Sequence, residues 1–205
     1  MAIEKARIVH PELRITSVVV SDDVSLIHRP SVVGPRGLAG NILVCKILGA
    51  AATRRWEFEE VKKLGDAIVE NLASVGVGME HCHIPGREVA GIGTGERSEQ
   101  LSARECEIGM GLHNEPGVRK VAMNGPDLLI GELLEMVLNS KDGGFVRVGD
   151  EGSDKVVLFV NNLGGISQLE MGAVVDETLI QLGSSASHHR RFILVIYFNT
   201  WHRKA

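Results

Sequence analysis

Residues 105–117, Glu-Cys-Glu-Ile-Gly-Met-Gly-Leu-His-Asn-Glu-Pro-Gly, change character part-way along. Cys106, Ile108, Met110 and Leu112 alternate with Glu105, Glu107, Gly109 and Gly111. That is the two-residue period of a strand with one apolar face and one small or polar face. His113 falls in step with the glycines, off the apolar face and at the strand's end, and residues 113–117 (HNEPG) read as a sharp turn. The glycines strip side chains from one face, so another group can approach the backbone closely. An imidazole at the end of that face, with Glu115 beside it, suits a general base or a nucleophile. The plainer alternative is a structural histidine on a Gly-rich turn, and the pattern alone leaves both open.

Working outward, residues 2–9 read as a helix closed by Pro11, and Arg14–Val20 (RITSVVV) as a β-branched strand running into the polar stop Ser21-Asp22-Asp23. A loop carrying Pro30, Gly34, Pro35 and Gly37 leads to a small, apolar helix over 41–52. Val61, Leu64, Ile68, Leu72 and Val75 recur at three- and four-residue steps and predict an amphipathic helix over 57–74. Val75, Val77 and Met79 then alternate as a strand does, and residues 85–102 read as an exposed excursion. Beyond the central stretch, Pro126 starts a helix carrying Leu129, Leu133, Met136 and Val137. Residues 155–160 (KVVLFV) read as a strand, 161–165 (NNLGG) as a tight turn, and 166–182 as a final helix. Strands alternating with helices argue for an α/β fold, a mixed sheet with helices packed on it.

The chain has 205 residues, 44% hydrophobic and 23% charged, which is globular and not disordered composition. A net charge of -4, with no basic excess, argues against non-specific nucleic-acid binding, which needs clustered cations. Cys45, Cys82 and Cys106 are odd in number and lack CxxC spacing, so neither a disulfide framework nor a cysteine zinc site is expected, and a reducing cytoplasm is the simplest location. The charged start MAIEKARIVHPE is no secretory signal, and the apolar run Phe192–Phe198 is far short of the roughly 20 residues a membrane span needs. Four of the eight aromatics (Phe192, Tyr197, Phe198 and Trp201) fall in the last fourteen residues. This shift sets 184–205 apart as a divergent tail, readable as a terminal strand followed by a basic stub.

Other candidates weigh less. His81-Cys82-His83 offers two imidazoles, but a metal site needs about four ligands and no such set is evident, so no metal is expected. Gly91-Ile92-Gly93-Thr94-Gly95 imitates a dinucleotide loop without the surrounding strand, turn and helix, and no GxxxxGK[ST] loop exists. Asp22 and Asp23 follow a strand, where ligands often sit in open α/β sheets, yet a loop turn or helix cap is the favoured reading.

Four separated blocks carry a resemblance: Val18–Ser25 (VVVSDDVS), Gly34–Leu43 (GPRGLAGNIL), Ile108–Gly117 (IGMGLHNEPG) and Val157–Gly165 (VLFVNNLGG). In content, order and spacing they resemble the substrate-binding (K) domain of dihydroxyacetone (glycerone) kinases. The similarity runs from about residue 1 to about residue 183 and covers the second half of that domain only. It implies residues 1–183 as the family's second subdomain, in an incomplete copy, and 184–205 as the tail. It further implies that His113, as catalytic and substrate-binding residue, adds a ring nitrogen to the ketone carbon of dihydroxyacetone and holds it as a hemiaminal. The implied reaction is ATP + glycerone giving ADP + glycerone phosphate, with glyceraldehyde as an alternative triose. ATP and Mg²⁺ belong in the family to a separate nucleotide-binding kinase module, so no cofactor is expected on this chain alone, and the family suggests a homodimer. The chain also departs from the family. Its GGGSGHEP-type and NYTGD-type segments, the latter carrying the family's aspartate base, are absent, and Pro35 replaces a second arginine. The alternative is therefore a truncated, non-catalytic fragment or pseudo-enzyme that acts only as a binding or interaction module.

Overall fold

A computed structural model describes residues 2–27, 36–79, 101–102, 104–113, 115–138, 156–185 and 192–199. They form five helices, α1 (Ala2–Val9), α2 (Gly40–Thr53), α3 (Phe58–Val69), α4 (Pro126–Leu138) and α5 (Gln168–Ser185), and one short 3-10 turn, Val24–Leu26. The strands are β1 (Leu72–Gly78), β2 (Glu105–Ile108), β3 (Arg119–Ala122), β4 (Val156–Asn162) and β5 (Phe192–Asn199).

The strands make one mixed sheet in the order β3-β2-β1-β5-β4. β5 lies parallel to both neighbours, pairing Leu72 with Ile193 on one side and Val156 with Phe192 on the other. Phe192–Asn199, from the segment that composition set apart as a tail, thus fills the gap between β1 and β4. β2 runs antiparallel to β1, through Val77–Ile108 and Gly78–Glu107, and β3 antiparallel to β2.

Every residue of β1 is buried, because helices cover both faces of the sheet. Ala73, Val75 and Val77 point to one side, with Cys106 and Ile108 of β2, and meet Ile130, Leu133, Leu134 and Val137 of α4. Leu72 faces the other way and packs with Leu38, Ala39, Val44 of α2 and Ile68 of α3. Each large side chain so enclosed contributes roughly 1.5–3 kcal/mol by leaving water.

The predicted helices over 2–9, 41–52, 126 onward and 166–182 and the strand over 155–160 are present, with ends displaced by a few residues. Three expectations need correction. The strand read from Glu105 to His113 ends at Ile108. The helix over 57–74 stops at Val69, and Leu72 opens β1. Leu72 and Val75 fit the helical spacing by coincidence, because a strand buried on both faces, as Leu72–Gly78 is, carries apolar residues without strict alternation. Arg14–Val20 joins no strand. Val18 and Val20 do turn toward the α2–α3 core while Val19 is 71% exposed, so the alternation is real. Among the described residues, the backbone reaches the sheet beyond that segment, at a parallel bridge from Asp23 to Ser74.

Candidate functional site

The strand period of the central stretch breaks at Gly109. β2 ends at Ile108 because Gly109 has φ 79°, in the left-handed region that side chains disfavour. Its N–H donates to the Gly76 carbonyl at 2.7 Å, and a Cβ there would lie 2.7 Å from Ser25 Cβ and Oγ. The chain then makes a loop over 109–117. It closes where Val118 N–H donates to the Ile108 carbonyl at 2.8 Å, Gly111 N–H to the Glu115 carbonyl at 3.0 Å, and Gly117 N–H to Glu107 Oε1 at 2.8 Å. Met110 is fully buried, so the loop is anchored from beneath.

His113 stands at the outer end of this loop with its side chain 88% exposed. Glu115 holds it twice. The His113 backbone N–H donates to Oε2 at 2.8 Å, and ring Nδ1 lies 3.1 Å from Oε1. With an ionised carboxylate as acceptor, the neutral ring carries its proton on Nδ1 and turns a bare Nε2 outward. Burial pushes the Glu115 carboxyl up, but hydrogen bonds from its own backbone and from the His113 backbone and ring outweigh this and hold it below the ordinary glutamate range. The pair therefore offers a nucleophilic nitrogen in solvent with a fixed anion behind it.

Beneath the loop lies a buried polar hub. Asp22 accepts from Leu38 N–H at 2.7 Å, from Gly40 N–H at 3.0 Å and from the Ser74 hydroxyl. Burial pushes its carboxyl above the usual range in spite of these bonds. Asp23 caps the 3-10 turn by accepting Ser25 N–H at 2.9 Å and Ser25 Oγ at 2.6 Å through Oδ1. Its Oδ2 accepts Arg36 Nε at 2.7 Å and pairs with Arg36 Nη2 at 2.7 Å. Arg36 Nη2 also donates to the Gly109 carbonyl at 2.6 Å. A Cβ on Gly111 would lie 2.9 Å from Arg36 Nη1 and would strike the Glu115 carboxylate.

Three of the four sequence blocks thus converge here: Asp22 and Asp23 from the first, Arg36 to Gly40 from the second, and Gly109 to Glu115 from the third. In the fourth, Asn162 Oδ1 accepts Gly164 N–H at 2.8 Å and Gly165 N–H at 3.1 Å, the tight turn expected there. Sequence reasoning placed His113 and Glu115 side by side but gave Arg36 no role. The signal was available: an aspartate at a buried sheet end needs a cation or several N–H donors. His81-Cys82-His83 and Gly91–Gly95 lie outside the described residues. Among the described residues no group of three or more His, Cys, Asp or Glu side chains could hold a metal ion, and no helix is long and apolar enough to cross a membrane.

Residues 1–200 match the model of the Dak1 domain. A dihydroxyacetone kinase of Pichia angusta is 39% identical over 175 residues, covering 82% of this chain and 29% of that protein. The triokinase/FMN cyclase of Homo sapiens is 33% identical over 165 residues, covering 80% of this chain and 27% of that protein. The crystal structure of the dihydroxyacetone kinase from C. freundii in complex with AMP-PNP and Mg²⁺ superposes with a TM-score of 0.66 at 28% identity, over 86% of this chain and 29% of that one. The chain therefore spans less than a third of the length of each of these relatives.

Proposed function

The chain belongs to the Dak1 domain family, and from that premise we propose that it is the triose-binding part of a dihydroxyacetone kinase, with His113 as a covalent substrate anchor. The observation that carries this reading is the exposed His113 ring held through Nδ1 by Glu115.

That geometry supports the following chemistry. The Nε2 lone pair adds to the C2 carbonyl carbon of dihydroxyacetone. The C=O π pair moves to oxygen, which takes up a proton and becomes a hydroxyl. The ring, briefly cationic, gives up the Nδ1 proton, so the balance is one N–C bond formed and one proton moved from ring to oxygen. Glu115 stabilises the passing positive charge and lies 3.1 Å from the nitrogen that releases the proton. Glycerol has no carbonyl carbon and cannot enter this step. The site thus rejects a polyol of similar size by bond formation, a sharper test than hydrogen bonding to hydroxyls alone. A triose fixed at C2 presents its terminal hydroxyl in a defined place, which suits a transfer reaction governed by positioning.

In this reading ATP is the second substrate of the whole kinase. The described residues do not fit Mg²⁺, since none of them form a cluster able to hold a metal. No step here passes through the metal, and nucleotide and Mg²⁺ are assigned to a separate kinase module. The whole molecule is a cytoplasmic homodimer in this proposal. The chain by itself binds triose without turning it over.

The test is ¹³C NMR of the chain with dihydroxyacetone labelled at C2. The expected result is a protein-bound tetrahedral carbon signal that disappears in His113→Ala. A spectrum containing only free carbonyl and its hydrate, at protein concentrations high enough to see a weak adduct, would overturn the reading.

A further inference from the structure

We propose that Arg36 is the positioning residue of the His113 anchor: one guanidinium plane, locked on Asp23, holds the Gly109 carbonyl and the crossing of Gly111 with Glu115 in the arrangement that presents Nε2. The inference rests on the reading of His113 as the anchor and deepens it.

Arg36 is joined to the loop from far away in sequence, since the bond from Nη2 to the Gly109 carbonyl spans 73 residues. Its inner edge is fixed first. Nε and Nη2 both reach Asp23 Oδ2 at 2.7 Å, and the Asp23 side chain is wholly buried while that of Arg36 is 19% exposed. Asp23 is itself immobilised, because its other oxygen takes two bonds from Ser25. The guanidinium is rigid and planar, so fixing one edge fixes the other. That other edge meets the loop at two points. Nη2 holds the Gly109 carbonyl, at the residue where the chain leaves β2 in the left-handed conformation. Nη1 and the Glu115 carboxylate both lie where a Gly111 Cβ would stand. The absent Gly111 side chain is what lets cation and carboxylate approach the same spot.

A buried ion pair gains little net stability over an apolar replacement. What this pair supplies is a fixed datum beneath a loop whose working ring is otherwise almost free in solvent. The bonds of Arg36 go to Asp23 and the Gly109 carbonyl, not to the ring. It acts through Gly109 and Glu115, and Glu115 in turn selects the Nδ1–H form of the ring.

The experiment uses the 205-residue chain with ¹⁵N-labelled histidine, in its parent form and as Arg36→Lys. Lysine keeps a positive charge beside Asp23 but cannot span Asp23 and Gly109 with a planar fork. Two quantities are read: the ring tautomer of His113 without triose, and the affinity for dihydroxyacetone through its tetrahedral-carbon signal. Arg36→Lys is expected to unfold at nearly the parent temperature, to lose at least half of the Nδ1–H tautomer signal, and to bind dihydroxyacetone about tenfold more weakly, the size of one lost oriented bond. A purely structural role would lower the unfolding temperature and leave tautomer and affinity unchanged in the folded protein; that result overturns the proposal. Should Arg36→Lys not fold, the paired change Asp23→Asn with Arg36→Met removes both charges and is read by the same two spectra, with the same outcomes deciding. If the parent forms no adduct, the anchor reading fails, and the tautomer measurement alone still decides whether Arg36 positions the ring.

Discussion

His113 and Glu115 are joined at two points, backbone N–H to Oε2 at 2.8 Å and ring Nδ1 to Oε1 at 3.1 Å. One carboxylate thereby fixes both the chain direction at the histidine and the tautomer of its ring. Two bonds across a spacing of two residues need only a tight turn, and the loop between β2 and β3 supplies it. Glu115→Gln keeps the length of the side chain but replaces one acceptor oxygen with a donor. The variant is expected to bind dihydroxyacetone about tenfold more weakly, since hydrogen bonds to charged groups are worth roughly 1.5–3 kcal/mol. Titration of the adduct signal checks this.

The same carboxyl makes the loop pH-sensitive in a definite direction. Its folded value lies below the ordinary one because the bonds from its own backbone and from His113 outweigh burial, which works to raise it. A depressed acid contributes stability above its unfolded value, about 4.3, and loses it as pH falls through the folded value. Amide exchange at His113 is therefore expected to accelerate below about pH 4.3 relative to the buried amides of β1, and this step is expected to be absent in Glu115→Gln.

Gly111 is the position where a single methyl group separates folding from function. A Cβ there meets the Glu115 carboxylate, the far end of a flexible side chain, and Arg36 Nη1 at 2.9 Å. The partly exposed Glu115 side chain can swing aside, so Gly111→Ala is expected to fold with only a small loss of stability while its affinity for dihydroxyacetone falls at least tenfold, about 1.4 kcal/mol. Thermal unfolding and adduct titration on the same sample separate the two effects.

Asp22 ties the entry to α2 onto β1 through Leu38, Gly40 and Ser74. Burial pushes its carboxyl upward against the bonds it accepts. A raised acid stabilises fully below its unfolded value, about 3.9, and that contribution is lost as pH rises through the folded value. Asp22→Asn turns an amide donor toward a buried N–H and is expected to cost about 1–3 kcal/mol. The gap between parent and variant should be largest near pH 4 and narrow as pH rises, as denaturant unfolding at several pH values would read directly.

The two described cysteines should differ sharply in reactivity. Cys45 is exposed, whereas Cys106 is fully buried in β2 and its thiol is pushed up to about 11 by burial. With iodoacetamide near neutral pH, Cys45 is expected to be modified more than about tenfold faster, because the thiolate is the reacting form. Peptide mapping against time measures both.

Much of this arrangement was legible in the sequence, and the parts that were not share a cause. Local signals worked where local physics decides. Pro126 opens α4, whereas the exposure of His113 comes from the loop that leaves β2 after Ile108 and not from the strand period, since Gly109 and Gly111 are themselves buried. Leu72 and Val75 misled because a strand buried on both faces carries the same residues as the end of an apolar helix stripe. Val18 and Val20 alternate with Val19 as a strand does, yet among the described residues the backbone pairs with the sheet further on, from Asp23 to Ser74. The clamp from Asp23 through Arg36 to Gly109 joins residues 13 and 73 positions apart, and no periodicity reports such a link. The same holds for β5, whose aromatic composition looked foreign and whose backbone completes the sheet between β1 and β4.

The central claim is that His113 Nε2 bonds to a triose ketone. Intact-protein mass spectrometry under non-denaturing conditions at neutral pH tests it most directly, comparing the 205-residue chain with His113→Ala in the presence of dihydroxyacetone or glycerol. The account predicts a gain of one whole dihydroxyacetone with no water lost, absent with glycerol and absent from His113→Ala. No gain in the parent chain, or a gain that survives His113→Ala, would contradict it.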